Sequence, residues 1–496
     1  MMALQDRYLL GLDLGTSAVK LALVDSHGAI EASSRKEYPS INGEGGLVEQ
    51  KTDDWIAAIV AAAQELKQKA GAEIMTKVVA VGLSAQMPTM AVLDENGKPY
   101  GNAVVWSDCR AQALGNRLLA LFGRERHYER TGVVLDGHYI VPMFLYQRIN
   151  DDNFPKEPTV MSAKDFIAYY LTEKIITDPS TASGYGVYSL EDGCWDKELC
   201  RIADVDPGVF PPIANSNQIA GRLLPERAEA LGLTAGIPII NGGADSVCGV
   251  FGLGVMEGTI CQMWGSSTAI LGVTDSILLS PTRAFFTTPL LLKNTFAVEA
   301  DIMSTGVSYA WAARLLKSAG MEKSVTELAK EVPAGSEGVM FYPFLAGGEQ
   351  GILWDDTLRG TITGLGVQHD LSHIMRAIIE GMCYESRRCV EAFKKGGCDC
   401  KDILCTGAIT ADPFFMQTLS NILGHPCRAM SEASGSALGA ALLAGAAVGI
   451  WDLDALESIT HMNGQLYVPG KEKALYDRAY MHYVEHTRNA RLADHK

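Results

Sequence analysis

One local pattern occurs twice in this chain, and the repetition limits the possible folds more than any other feature. YLLGLDLGTSAVKLALVD reads as an apolar strand, a turn at Asp13-Leu14-Gly15-Thr16-Ser17, and a second strand from Val19 to Val24. GTICQMWGSSTAILGV repeats it, with Gly265-Ser266-Ser267-Thr268 as the turn. Each is a hairpin, not a strand entering a helix, and the recurrence predicts a divergent internal duplication. At 496 residues the chain has room for two or three domains.

Between the hairpins, helical and strand patterns alternate, so the class is α/β. DDWIAAIVAAAQELKQKA reads as a helix, KVVAVGLSA as a strand, and MAVLDENGKPY as a hairpin around Asn-Gly. IPIINGGADSVCGVFGLGV reads as a buried strand ending at Gly242-Gly243 before Asp245, followed by a glycine-spaced segment that suits a hinge. The domain boundary is expected at about 246–256, giving domains 1–250 and 251–496. HIMRAIIEGMCYESRRCVEAF carries Ile374, Ile378, Met382, Val390 and Phe393 at helical spacing, a core stripe. The last segment, from Lys471, is expected to be a helix packed on the outside with a frayed end.

A net charge of −16 without a long Lys/Arg run argues against nucleic acid as a partner. It does not exclude a nucleotide whose phosphates meet backbone amides and Mg²⁺. The most apolar late stretch, ALGAALLAGAAVGI, is shorter than a membrane span, and the N-terminus lacks an export pattern. Eleven scattered cysteines predict a reducing, cytoplasmic setting. Cys398, Cys400 and Cys405 lack metal-ligand spacing and read as loop and strand cysteines.

No G-x-x-x-x-G-K-[ST] run exists, so any phosphate must be held differently. Gly15, Thr16 and Ser17 can turn amides and hydroxyls toward a phosphate, with Asp13 on Mg²⁺; a plain turn is the competing reading. Gly265, Ser266, Ser267 and Thr268 offer the same device. Gly407-Ala408, after the strand DILCTG, lets backbone approach a nucleotide or simply makes a strand-to-helix turn. Asp245 is either a base at a sheet's edge or a helix N-cap. Trp106 and Asp108 offer a ring face and a carboxylate to a sugar, against a core Trp and an ion pair with Arg110.

DLGTS, the QM-xx-AVLDENG stretch, VVWSDCRA, GGAD and GTITGLGVQHDLSHIMRAIIE together resemble the FGGY carbohydrate kinases over nearly the whole chain. Gly360, Gly364, Leu365, His373, Ala377 and Glu380 stand in register with that family's second signature. The resemblance implies two actin-like, ribonuclease-H-like domains with an interdomain active-site cleft, the sugar on the first, ATP largely on the second, and closure on binding. It implies Asp245 as catalytic base, Asp13 and Asp245 as the Mg²⁺-linked carboxylates, and Thr16 with Gly265 to Thr268 as phosphate loops. Gly407 and Ala408 match the nucleotide-binding glycines, although TGAIT carries fewer glycines than usual. WSDCRA and SAKDFIAYYLT, with Lys164 and Asp165, look most like xylulose kinases. Gln86, Met87, Trp106 and Asp108 then fall to the acceptor.

Pro88 stands where xylulose and gluconate kinases usually have His, and Thr89 replaces the following glycine; the Arg-Glu pair of glycerol kinases is also missing. The implied acceptor is a pentulose such as xylulose, with another ketose, a deoxy sugar, a polyol or a gluconate-like acid as alternatives. An actin-like ATPase or sugar-responsive binding protein without kinase activity is the alternative of a different class. A homodimer is left open.

Overall fold

The strand Tyr8–Leu14 is apolar almost throughout and buried along its length, the pattern of a strand with neighbours on both edges and cover on both faces. In the computed structural model, which describes residues 7–254, 257–345, 351–355, 357–430, 435–452 and 464–494, this strand lies inside a six-stranded sheet. The order is Ile219–Arg222, Pro238–Ala244, Val78–Ala85, Tyr8–Leu14, Ala18–Asp25, Ile30–Glu37. Tyr8–Leu14 runs antiparallel to Ala18–Asp25 and parallel to Val78–Ala85, which is parallel to Pro238–Ala244. MAVLDENGKPY forms the expected turn: Gly97 N–H donates to Asp94 O, and Leu93 bridges Pro99.

The chain divides into two compact units: Met1–Val255 with Thr287–Phe296 and Ala433–His461, and Met256–Phe286 with Ala297–Glu432 and Met462–Lys496. The second unit repeats the topology of the first. Six strands of its seven-stranded sheet follow the matching order Phe296–Ile302, Thr268–Thr274, Thr259–Trp264, Asp402–Thr406, Cys427–Ala429, Gln465–Tyr467, and Phe286–Pro289 is added at the edge beside Phe296–Ile302. Again the first strand is antiparallel to its hairpin partner and parallel to the strand on its other side. This is the duplication predicted from the two hairpins.

In the first unit a helix, Ser436–Ala447, crosses the sheet where side chains are missing. A Cβ on Gly11 would stand 1.7 Å from Ala437 O, and one on Gly82 would stand 1.8 Å from Ala440 O. The glycine-spaced segment after Asp245 serves the same contact. Asp245–Gly252 is a helix, and a Cβ on Gly439 would lie 1.8 Å from Cys248 O. The small residues let two helix backbones approach.

Behind the strand Pro238–Ala244, the Lys164 ammonium is almost wholly buried. It donates to Asn241 O and Oδ1, both at 3.0 Å, and lies 2.8 Å from Asp165 Oδ1 and 3.4 Å from Asp178 Oδ1. Burial disfavours the ammonium, but Asp165 and Asp178 outweigh it and raise the Lys164 pKa above its ordinary value. Asp178 Oδ2 accepts from Ser180 Oγ, whose oxygen accepts the Ala244 N–H at 3.1 Å. The network thereby ends one residue before Asp245.

In the second unit Leu371–Lys395 is the central helix, with Ile378, Met382, Val390 and Phe393 buried and Ile374 packed at the margin. The last helix, Lys473–Asp494, departs from the expectation of an outer helix. Tyr476 and Tyr483 are fully buried, and their hydroxyls donate to Glu380 and Glu385 of the central helix at 2.8 and 2.7 Å. Tyrosine alternates with charge along this segment, and the ring bodies were not counted as core. Among the described residues no helix is long and apolar enough to cross a membrane.

Two stability outcomes are expected. Lys164→Met strands Asp165 and Asp178 as buried carboxylates and should lower unfolding free energy by about 3–5 kcal/mol, read from the urea midpoint. Gly82→Val drives a side chain into the Ala440 carbonyl and should cost about 3 kcal/mol or more, or prevent soluble expression.

Candidate active site

Asp13 sits near the end of the first strand, 2% exposed. Its Oδ1 accepts from Ser84 Oγ at 2.9 Å, and Lys20 Nζ stands 3.8 Å from its Oδ2. Burial raises its pKa, with Lys20 and Ser84 acting against the rise.

Asp245 opens its helix as the first helical residue, so it is not the N-cap; Ala244 is. The residue is half-buried, and its Oδ1 accepts the Ser246 N–H at 2.9 Å. Desolvation and then the Asp13 charge push its pKa up to about 7. Two acids of like charge therefore face one locality, with Lys20 as the nearby cation.

The turn between the first two strands is clamped from three sides. Tyr38 OH donates to Gly15 O, Gln50 Nε2 donates to Thr16 O at 2.8 Å, and Trp106 Nε1 donates to Thr16 Oγ1 at 3.0 Å. Thr16 and Ser17 are exposed at the tip. Burial, then Asp13 and Asp245, raises the Tyr38 pKa, which keeps that hydroxyl a donor.

Gln86 is buried, and its Nε2 donates to Gln50 Oε1 at 2.9 Å. Its Oε1 has no hydrogen-bond partner. Met87 and Pro88 follow, each half-buried. Thr89 is fully buried, and its Oγ1 accepts the Trp106 N–H at 3.3 Å. Trp106 is half-buried, as a ring offered to a ligand must be. Asp108 is more committed: its oxygens accept from Val48 N, Arg110 N and Arg110 Nε at 2.8 to 3.1 Å, and Arg110 Nη2 continues to Glu49 Oε1 at 2.6 Å. This carboxylate holds its own loop, which was the competing reading for it.

The second hairpin differs from the first in what its turn is free to do. Thr268 is fully buried, and its hydroxyl bonds that of Thr305 at 2.8 Å. The carbonyls of Gly265 and Ser266 accept the N–H groups of Gly306 and Val307 at 3.1 and 3.2 Å. The amides and hydroxyls of Ser266 and Ser267 are the groups this turn can still offer. Gly407 adjoins this turn with φ of +117°, and a Cβ there would stand 1.9 Å from Trp264 O. Its missing side chain thus makes room for the Trp264 backbone, a use the sequence does not show beside the two expected ones, a nucleotide's approach and a strand-to-helix turn. Ala408 next to it is exposed.

The first unit thus brings together Asp13, the Gly15 to Ser17 turn, Gln86, Met87, Trp106 and Asp245. The second brings together the Gly265 to Thr268 turn, Gly407 and Ala408. Sequence reasoning missed Lys20, Tyr38, Gln50 and Ser84. Lys20 alone left a signal, as the one charge in the otherwise apolar strand AVKLALV.

Comparison with known proteins identifies the family of the chain. Residues 8–252 match the N-terminal domain of the FGGY family of carbohydrate kinases, and residues 263–448 match its C-terminal domain. The xylulose kinase of Bacillus subtilis is 26% identical over 88% of this chain and 88% of its own. The crystal structure of a xylulose kinase from Lactobacillus acidophilus superposes with a TM-score of 0.91 at 26% identity, covering 98% of each chain. That of a gluconate kinase from the same organism gives 0.90 at 26% identity, again over 98% of each. The fold is accordingly the two-domain actin-like, ribonuclease-H-like one, and the chain belongs to the FGGY family of carbohydrate kinases.

Proposed function

We propose that this ATP-dependent carbohydrate kinase phosphorylates a hydroxyl of a pentulose such as xylulose, with Asp245 as general base. The observation that carries the reading is Asp245, half-buried at a helix start, its carboxylate coupled to Asp13 beside the clamped turn. The first unit takes the acceptor and the second takes the nucleotide; the expected contiguous domains 1–250 and 251–496 differ from these units in that Thr287–Phe296 and Ala433–His461 return to the first.

Phosphoryl transfer asks for a positioned hydroxyl, a group to receive its proton, and cations to spread the phosphoryl charge. Gln86 Oε1, buried and without a partner, accepts a sugar hydroxyl, and Met87 and the Trp106 ring supply apolar contact to C–H faces. Asp245 takes the proton of the acceptor hydroxyl as its oxygen attacks the terminal phosphorus of ATP. A carboxylate titrating near neutrality accepts a proton more readily than an ordinary one. The exposed turns at Gly15–Ser17 and Gly265–Ser267 direct N–H and O–H donors at phosphate oxygens.

The residues present suit a divalent cation. Asp13 and Asp245 are hard oxygen donors whose mutual repulsion Lys20, mostly exposed, offsets only in part. They would hold Mg²⁺, which when bound supplies charge neutralisation on the phosphates. The acceptor assignment rests on the likeness to xylulose kinases, and the gluconate kinase likeness makes an aldonate the next candidate.

Asp245→Asn should retain ATP binding by calorimetry while sugar-dependent ADP release falls by at least ~10²-fold. Near-normal turnover would remove Asp245 from the role, and ADP release indifferent to every sugar in a pentulose, polyol and aldonate panel would favour a conformational ATPase. Pro88→His should change the ranking of acceptors in that panel by kcat/KM. An unchanged ranking would take Pro88 out of acceptor selection.

A further inference from the structure

Apart from the groups used above, one cluster has the chemistry of an activated nucleophile. Cys109 is exposed on the loop that follows Trp106, and its Sγ lies 3.9 Å from His138 Nε2. The other ring nitrogen, Nδ1, is 2.9 Å from Asp136 Oδ2, while Asp136 Oδ1 accepts the His138 backbone N–H at 2.8 Å. One carboxylate thus sets the ring's orientation and its tautomer, with Nδ1–H donating to Asp136 and Nε2 turned to sulfur.

Burial works to lower the His138 pKa, but the bond to Asp136, with Cys109 adding to it, holds it up at about 9. The ring carries its second proton at neutral pH and holds it beside the Cys109 sulfur. The remaining charges on the loop, Asp108, Arg110 and Glu49, are closed on one another. The cysteine itself is held in place: its N–H donates to Gly46 O at 2.9 Å. Gly46, at φ +82°, leaves it room, since a Cβ there would stand 2.8 Å from that of Cys109.

We propose that Cys109 is a reversible modification site, a thiol that His138 and Asp136 direct toward small disulfides. The thiol first loses its proton to solvent. The thiolate then attacks one sulfur of the disulfide, whose S–S bond breaks as the mixed disulfide forms, and the leaving thiolate takes the Nε2 proton of His138. The adduct stands between Asp108 and Arg110, on the loop whose Trp106 donates to Thr16.

Cys194, the other exposed cysteine among the described residues, is an internal reference on the same molecule. The full-length protein is treated with oxidised glutathione at pH 7, and the peptides holding Cys109 and Cys194 are followed by mass spectrometry. Cys109 should form its mixed disulfide at least ~10-fold faster than Cys194, and dithiothreitol should reverse it. His138→Asn, and more mildly Asp136→Asn, should slow Cys109 and move the pH profile of its alkylation by iodoacetamide upward, while Cys194 is unchanged. Equal rates at the two cysteines in the unaltered protein would overturn the proposal. So would a rate and pH profile at Cys109 that neither variant alters.

Discussion

The placement of Asp245 depends on a buried ammonium. Lys164 holds Asp165, Asp178 and both oxygens of Asn241, and through Asp178 and Ser180 the network reaches the backbone N–H of Ala244. Each link is short range, and each is made away from bulk water, where a charge without its partners costs several kcal/mol. A strand can slide or twist at its end with little penalty when only ladder bonds hold it. Here the last turn of the strand Pro238–Ala244 is fixed to side chains from two other segments, so the carboxylate that follows has little freedom of position.

That rigidity matters because the site brings like charges together. Asp13 is buried with Ser84 and Lys20 near it, and Asp245 rises to about 7 through desolvation and the Asp13 charge. Left mobile, the two carboxylates would move apart and the part of the shift that Asp13 adds to desolvation would be lost. Held by their strands, they retain an unmet demand for positive charge. The cover over the sheet is equally unforgiving: the helix Ser436–Ala447 lies against Gly11 and Gly82 with no room for a methyl group. The strands that carry Asp13 and Ser84 are thereby fixed from behind.

What the sequence made legible follows from range. The two hairpins could be read because strand, turn and returning strand are contiguous, and the duplication because the same local grammar recurs. The stripe on Leu371–Lys395 was legible for the same reason. Three features were not. Gly407 serves Trp264, far away in the chain, and no local pattern distinguishes that use from a nucleotide contact. The glycines after Asp245 read as a hinge because their partner, Gly439, arrives from a helix nearly two hundred residues later by chain order. Tyr38 and Gln50 look like ordinary strand-edge residues until the fold turns them onto Gly15 and Thr16.

The departures at Pro88 and Thr89 gain a different weight from their surroundings. Thr89 is no vacancy in the pocket: its hydroxyl accepts the Trp106 N–H, and the Trp106 indole in turn donates to Thr16. Gln86, two residues upstream of Pro88, donates to Gln50, which donates to the Thr16 carbonyl. Gln86, Thr89, Trp106 and the turn at Thr16 therefore belong to one hydrogen-bonded assembly, in which Thr89 is a support and Pro88 makes none of the linking bonds. Replacing an imidazole by a pyrrolidine ring at position 88 leaves that assembly intact while removing a donor and acceptor from its face. On the proposed reading, such a change acts on which hydroxyl pattern an acceptor can satisfy without disturbing how the turn at Gly15 to Ser17 is held.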